Sequence, residues 1–173
     1  RNVLRLSCIT MERCVFFVRI DVMGVGFDNL TKSEFTARAE SMLHNGERGY
    51  VVTPNAEIVY ESIHDDGFRA LLNDASMVLP DGAGVVLGAK ILGTRIKEKV
   101  AGIEFGEEVC RVLAKNNGRL YLLGSKPGIA KAAGEKLAQK YPGLVICGEA
   151  DGYFKDEKEV IEKINAAKPD VLF

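Results

Sequence analysis

The chain has 173 residues, about the length of one globular domain and enough to bury a core without disulfide or metal staples. Its 23 lysines and arginines balance 24 aspartates and glutamates, so the net charge of −1 shows no basic excess for nucleic acid and no acidic tail. A hydrophobic content of 47% excludes a disordered protein, and no apolar run approaches the ~18 residues of a membrane span.

Residues 1–18 differ from the rest of the sequence, because they combine several arginines with a short apolar run at residues 14–18. A signal peptide needs a longer apolar core and a small-residue cleavage site, and neither is present. We therefore expect an extra strand, or a leader added for expression, ahead of a core domain at residues 19–173.

From residue 19 onward, short β-branched apolar runs alternate with segments of helical periodicity. Strands are predicted at residues 20–27, 49–53, 77–79, 119–124, 144–147 and 170–173. Helices are predicted at residues 31–45, 54–63, 68–75, 84–92, 104–115, 128–140 and 156–167. Thr31 and Glu34 form a capping box at the start of the first helix, and Gly46 is typical of its end.

This alternation of strands and helices is the pattern of βαβ units, in which parallel strands are connected by helices that cover the sheet. The sequence therefore predicts the α/β class, with a single Rossmann-like domain. We expect its sheet to be mostly parallel, with helices on both faces.

The cysteines and histidines give no sign of a metal site or of a disulfide framework. Four cysteines are scattered along the chain: Cys8, Cys14, Cys110 and Cys147. None belongs to a Cys-x-x-Cys pair or has a histidine nearby in sequence, so we expect reduced thiols. His44 and His64 lie in polar helical segments and are predicted to be surface residues.

Ligands of open α/β sheets bind beyond the carboxyl ends of the strands, which selects four junctions in this sequence. At the first, Thr53 and Asn55 lie beside a helix N-terminus whose free amides favour anions, although Thr53 also suits a helix cap. At the second, Asp81 lies between a proline and two glycines. It is suited to be a general base, or to cap the next helix.

The other two junctions are suited to bind phosphate groups. At the third, Gly124 and Gly128 follow a strand and open an alanine-rich helix, which makes either a backbone cradle for phosphate or a tight turn. At the fourth, residues 93–100 contain Arg95 and Lys99 in a basic run. This run either meets a pyrophosphate or is a solvated surface.

Seven segments, taken in order and spacing, resemble the WecG/TagA/CpsF family of glycosyltransferases over residues 20–173. They are GVGFDNLT, TPNAEIVYES, LPDGAGVV, EKVAGIEF, LLGSKPGIA, GEADGYF and KPDVLF. The resemblance implies an inverting, metal-independent enzyme without a cofactor, which moves N-acetylmannosamine from UDP to undecaprenyl-diphosphate-linked N-acetylglucosamine through a β-1,4 bond. This reaction is an early step in assembling the wall teichoic acid linkage unit.

The resemblance also implies roles for individual residues. Asp81 matches the family's proposed base, which deprotonates the acceptor C4 hydroxyl, and Thr53 and Asn55 match polar residues that line the same pocket. The basic run adds Arg95 and Lys99 as predicted substrate contacts. Seven residues are implied to surround the uridine diphosphate: Gly124, Ser125, Gly128, Ile129, Asp151, Gly152 and Tyr153.

Two positions depart from the family pattern, because Lys99 stands where arginine is common and Glu104 where aspartate is usual.

Two other functions stay open: a family relative with another donor, such as UDP-N-acetylmannosaminuronate or UDP-glucose, and a non-catalytic nucleotide-binding α/β module. The resemblance places the enzyme in the cytoplasm at the inner face of the membrane, implies no nucleic acid partner, and leaves a homodimer open.

In the family, the last strand leads to a glycine-rich loop and a C-terminal appendage that brings the enzyme to the membrane. We therefore expect residues 1–173 to keep the fold and some affinity for UDP, but to have little or no transferase activity. A chain extended past Phe173 should bind anionic vesicles and turn over. Full activity of residues 1–173 in the same assay would contradict this expectation.

Overall fold

Residues 18–173 are described by a computed structural model as a mixed α/β structure. The predicted leader or extra strand and the first two cysteines fall within residues 1–17, outside the described residues. The strands are β1 Arg19–Val22, β2 Val25–Asp28, β3 Val51–Val52, β4 Met77–Val78, β5 Arg119–Leu123, β6 Val145–Ala150 and β7 Val171–Leu172. The helices are α1 Lys32–Asn45, α2 Ala56–Ile63, α3 Asp66–Asp74, α4 Ala83–Ile91, α5 Gly102–Lys115, α6 Ile129–Lys140 and α7 Glu157–Ala167.

The described strands form three hydrogen-bonded groups. β1 and β2 pair antiparallel, β3 and β4 pair parallel, and β5 pairs parallel with β6 on one side and β7 on the other. The parallel pairing confirms the predicted α/β class. Within residues 18–173, no helix is both long and apolar enough to cross a membrane.

The prediction of a single strand at residues 20–27 is wrong, because the segment folds back on itself as a hairpin. Its turn lies at Met23 and Gly24, with φ angles of 57° and 90°, and the Gly24 amide donates to Asp21 Oδ1 at 3.2 Å. Such tight turns usually carry asparagine or aspartate before glycine. Methionine at that position gave no turn signal, so the hairpin was not predicted.

β4 separates two hydrophobic clusters because successive side chains of a strand point to opposite faces. Met77 and Leu79 belong to the cluster that includes residues of α1, α5, β5 and α6. Val78 belongs to the other cluster, with residues of the β1–β2 hairpin, α2, α3 and α4. Helices therefore pack on both sides of the chain at residues 77–79.

The observed helix boundaries lie within two residues of the predicted ones, and those of α1 follow its cap residues. Thr31 Oγ1 accepts from the Glu34 amide at 3.3 Å, and Glu34 Oε2 accepts from the Thr31 amide at 2.7 Å. These contacts confirm the capping box, and the Thr31 amide lowers the pKa of Glu34 below its usual value. Gly46 ends α1 with a φ of 64°.

A buried carboxylate connects the hairpin to β4. Asp28 is only 6% exposed, its Oδ2 accepts from the Val78 amide at 2.8 Å, and its Oδ1 pairs with Arg19 Nε at 3.2 Å. The same guanidinium donates to the carbonyls of Asn73 at 2.6 Å and Ala75 at 2.7 Å. The end of the hairpin is therefore attached to the start of β4 by charge-assisted hydrogen bonds.

Asp28→Ala should lower the free energy of unfolding by about 3 kcal/mol, because it leaves the buried Val78 amide without its acceptor and Arg19 without its carboxylate partner. Asp74→Ala is the matched control: Asp74 is exposed at the end of α3, and its loss should change stability by no more than about 0.5 kcal/mol. Urea denaturation measures both values, and equal effects would show that Asp28 does not connect the two elements.

Candidate active site

The ends of β3 and β4 meet beneath the first turns of α2 and α4. A Cβ on Gly84 would lie 2.8 Å from Ala56 Cβ, and one on Gly82 would lie 3.8 Å from Asn55 Cβ. Glycine at residue 84 therefore permits the close approach of α4 to α2. The chain places Thr53, Asn55 and Asp81 at this shared edge.

Asn55, rather than Thr53, is the cap of α2, because its Oδ1 accepts from the Ile58 amide at 3.0 Å. Its side-chain nitrogen has no hydrogen-bond partner among the described residues and is free to donate. Thr53 instead faces the start of α5, where a Cβ on Gly102 would lie 3.0 Å from the Thr53 methyl and 3.1 Å from its hydroxyl. The side-chain nitrogen of Asn55 and the hydroxyl of Thr53 are thus the polar groups at this edge of the sheet.

Asp81 binds the N-terminus of α5. Its Oδ2 accepts from the Gly102 amide at 3.2 Å, whereas α4 begins at Gly82 with no side-chain cap. The alternative that Asp81 caps the next helix in the chain is therefore wrong, since it contacts a helix 21 residues away. This contact fixes the carboxylate, and Oδ1 has no hydrogen-bond partner among the described residues.

Residues 93–100 form a loop that is attached to its surroundings at several points. The Lys97 amide donates to Asn29 Oδ1 at 2.7 Å, the Lys32 amide donates to Glu98 Oε2 at 3.0 Å, and the Val100 amide donates to the Pro80 carbonyl at 3.0 Å. The last contact places the end of the loop directly beside Asp81.

The basic side chains of this loop differ in what they contact. Lys97 lies 3.5 Å from Glu34, but Arg95 and Lys99 are exposed and make no ion pair among residues 18–173. Glu104 is occupied by Lys32 at 3.0 Å, which raises the pKa of Lys32. Arg95 and Lys99 are therefore available to an anionic ligand.

The residues predicted to surround uridine diphosphate come together at the ends of β5 and β6. The Gly152 amide donates to the Ser125 carbonyl at 2.9 Å, and the Gly124 amide donates to the Ala150 carbonyl at 2.9 Å. Gly124 and Ser125 have φ angles of 127° and 63°, and a Cβ on Gly152 would lie 3.3 Å from Gly124 Cα. Glycines at these two positions allow the loops to touch.

The start of α6, which lies beside these loops, has no side-chain cap. Gly128 begins the helix with a φ of 85° and no side-chain cap, and Ile129 is exposed beside it. Asp151 Oδ1 accepts from the Tyr153 amide at 2.8 Å, and the Tyr153 ring is exposed. Uncapped amides and an exposed ring suit a phosphate and a base, respectively.

A mostly apolar groove of about 700 Å³ lies between α1, β3, α5 and β7. Thr53, Gly102 and Phe173 are among its lining residues, whereas Asn55 and Asp81 are not. The Phe173 carbonyl accepts from the Leu123 amide at 2.6 Å, beside Gly124. Among the described residues, no hydrogen bond or ion pair joins Thr53, Asn55 or Asp81 directly to the predicted UDP-binding residues at the ends of β5 and β6.

Two cysteines and two histidines lie within the described residues. Cys110 is buried and Cys147 is partly buried, both are free thiols, and burial raises the pKa of each. His44 and His64 are exposed at the ends of α1 and α2. Among residues 18–173, no three histidine, cysteine or carboxylate side chains gather where a metal ion could bind.

Sequence reasoning missed the contacts that bring these groups together, namely Asn29 to the basic loop, Glu98 to α1, and Asp81 to α5. One signal was available for the last contact. The segment Val100-Ala101-Gly102 begins a helix without a serine, threonine, aspartate or asparagine, which indicates that its amides are bound from elsewhere.

Comparison with known proteins assigns a family. The model of the glycosyl transferase WecG/TagA/CpsF family matches residues 20–173. A Bacillus subtilis (strain 168) relative is 32% identical over 88% of this chain, and one from Bacillus spizizenii is 30% identical over 82%. A Staphylococcus aureus (strain NCTC 8325) relative is 30% identical over 95%. All three are named N-acetylglucosaminyldiphosphoundecaprenol N-acetyl-beta-D-mannosaminyltransferase.

The matched regions cover only part of each relative. They span 60% of the B. subtilis protein, 55% of the B. spizizenii protein and 66% of the S. aureus protein. The chain thus spans less than two thirds of the length of these relatives.

The contact between Asp81 and α5 predicts different effects for two substitutions. Asp81→Asn keeps an oxygen that can accept from the Gly102 amide, so unfolding free energy should change by no more than about 0.5 kcal/mol. Asp81→Ala removes the acceptor and should cost about 1 kcal/mol, the usual loss of an N-terminal cap. Chemical denaturation compares them, and equal stability of both variants would show that the contact contributes nothing.

Proposed function

The chain belongs to the WecG/TagA/CpsF family of glycosyltransferases, and on that premise we propose that it moves N-acetylmannosamine from UDP to undecaprenyl-diphosphate-linked N-acetylglucosamine. The observation that carries the proposal is the placement of Asp81. Its carboxylate is fixed by the Gly102 amide through one oxygen and leaves the other without a partner among the described residues, beside Thr53 and Asn55. A fixed carboxylate with one free oxygen suits a general base.

In the proposed reaction, the free oxygen of Asp81 takes the proton from the C4 hydroxyl of the acceptor sugar. The acceptor oxygen bonds to C1 of the donor sugar while the bond from C1 to the diphosphate oxygen breaks on the opposite face. UDP leaves with the bonding electron pair, and the configuration at C1 inverts. Thr53 and the free side-chain nitrogen of Asn55 orient the sugars by hydrogen bonds.

The leaving diphosphate needs its negative charge stabilised, and two features of the structure support a site for it. The uncapped amides at the start of α6, with Ser125 and Ile129, suit the phosphates. Arg95 and Lys99 supply cations for the developing charge. The exposed Tyr153 ring offers a stacking surface for the uracil base.

One observation favours a second candidate, a nucleotide-binding module without transferase activity. Asp81 already has a structural contact with Gly102, and a carboxylate at a helix N-terminus stabilises that helix whether or not it reacts. A family relative with another UDP-sugar donor is a further candidate, because UDP-sugars share the uracil base and the diphosphate that the proposed site residues would bind.

The proposal extends to the sheet and to the surroundings of the enzyme. β3 and β7 border the same groove, and each pairs parallel with its neighbour. This supports one Rossmann-like sheet that includes β3 and β4 as well as β5, β6 and β7.

A lipid-linked acceptor requires the reaction to take place at a membrane surface, here proposed as its inner face. We also propose a homodimer, which light scattering can test.

Asp81→Asn decides between the base and the structural role. Loss of the base should lower turnover by about 10²- to 10⁴-fold, with UDP affinity and stability nearly unchanged. Asp74→Asn provides the control for an exposed carboxylate. Turnover is followed in the chain extended past Phe173, by mass-spectrometric detection of the disaccharide lipid. Full activity of Asp81→Asn in that assay would remove Asp81 from the mechanism.

The donor and the need for metal are tested in the same assay. A panel of UDP-N-acetylmannosamine, its uronate and UDP-glucose should give product with UDP-N-acetylmannosamine above the others. Because cations and backbone amides stabilise the diphosphate in this proposal, EDTA should leave turnover unchanged. Activity lost in EDTA and restored by Mg²⁺ or Mn²⁺ would contradict that part of the mechanism.

A further inference from the structure

We propose that Glu98 is a positioning residue: by binding the first amide of α1, it fixes the basic loop so that Lys99 is presented beside Asp81 to the diphosphate of the donor. This inference rests on the proposed function, since it names what orders the cation of that site. Glu98 is an acidic residue within the basic run, and its proposed role is to hold the loop rather than to contact the ligand.

The contact of Glu98 is separate from the capping box of α1. Thr31 already accepts from the Glu34 amide, whereas Glu98 Oε2 accepts from the Lys32 amide at 3.0 Å. α1 therefore has two caps, one from its own sequence and one from a loop 66 residues away. A local cap is sufficient to start a helix, so the second contact mainly restrains the loop.

Lys99 is restrained on both sides by these attachments. Glu98 precedes it and is bound to α1, and Val100 follows it and donates to the Pro80 carbonyl at 3.0 Å. Pro80 is the neighbour of Asp81 in the chain. The backbone of Lys99 is thus held close to the proposed base, while its side chain is exposed and has no ion pair among the described residues.

The nature of the cation makes this restraint important. A lysine ammonium is a point charge on a flexible stem, without the planar fork with which arginine binds two phosphate oxygens. Its position at a diphosphate therefore depends more on where its backbone lies. Fixing the backbone also lowers the conformational entropy that is lost when the side chain binds.

Three variants test the proposal through the Kd for UDP, measured by titration calorimetry. Glu98→Ala should weaken UDP binding about tenfold, the equivalent of one lost charge-assisted hydrogen bond. Glu98→Gln should bind UDP nearly as the unmodified chain does, because its amide oxygen can still accept from Lys32. Thr31→Ala removes the local cap of α1 and is the matched control. It should lower stability and leave the Kd unchanged.

Hydrogen–deuterium exchange gives a second readout that does not depend on a ligand. Amides at residues 95–100 should exchange faster in Glu98→Ala, but not in Thr31→Ala or Glu98→Gln. The proposal is overturned if Glu98→Ala and Thr31→Ala give the same Kd and the same exchange, or if Glu98→Gln behaves as Glu98→Ala does.

Failure of the proposed function would be distinguishable from failure of this inference. Absence of turnover with every UDP-sugar, in the chain extended past Phe173, contradicts the transferase but leaves UDP binding and exchange measurable. In that case, a weaker UDP complex and faster loop exchange in Glu98→Ala alone still support the positioning role, and unchanged values overturn it.

Discussion

The architecture of the site depends on a short segment, residues 28–32, whose polar groups bind two different parts of the chain. Asp28 accepts from the Val78 amide in β4, and Asn29 accepts from the Lys97 amide in the basic loop. Lys32 then donates its amide to Glu98 in the same loop. Since β4 leads directly to Asp81, this segment fixes both the carboxylate and the cations relative to one core.

Helix N-termini within residues 18–173 are of two kinds, and the site contains both. α1, α2, α3 and α7 each have a side-chain cap from the residue that begins them, whereas α4, α5 and α6 have none. Uncapped amides are costly when buried, so they are bound by other protein groups, by water or by ligands. At α5 that group is Asp81, so the residue that is proposed as the general base also stabilises this helix.

Much of the fold could be predicted because its signals are local. Thr31, Glu34 and Gly46 specify the ends of α1 through contacts within a few residues, and the apolar runs predicted the parallel strands. The hairpin at residues 19–28 could not be predicted, because Met23 adopts a positive φ that its residue type rarely favours. That turn is retained by the packing of Val22 and Val25 in the core and by the contacts of Asn73.

The sequence by itself determined the alternation of strands and helices, and it identified Thr53, Asn55, Asp81 and the glycines of two loops as candidates at strand ends. These follow from residue type and short spacing. Only the tertiary structure decided that Asp81 binds α5 rather than α4, that Glu98 binds α1, and that residues 124–125 touch residue 152. Such contacts join positions tens of residues apart, and tertiary packing selects them, because local propensity contains no information about which distant amide a carboxylate will meet.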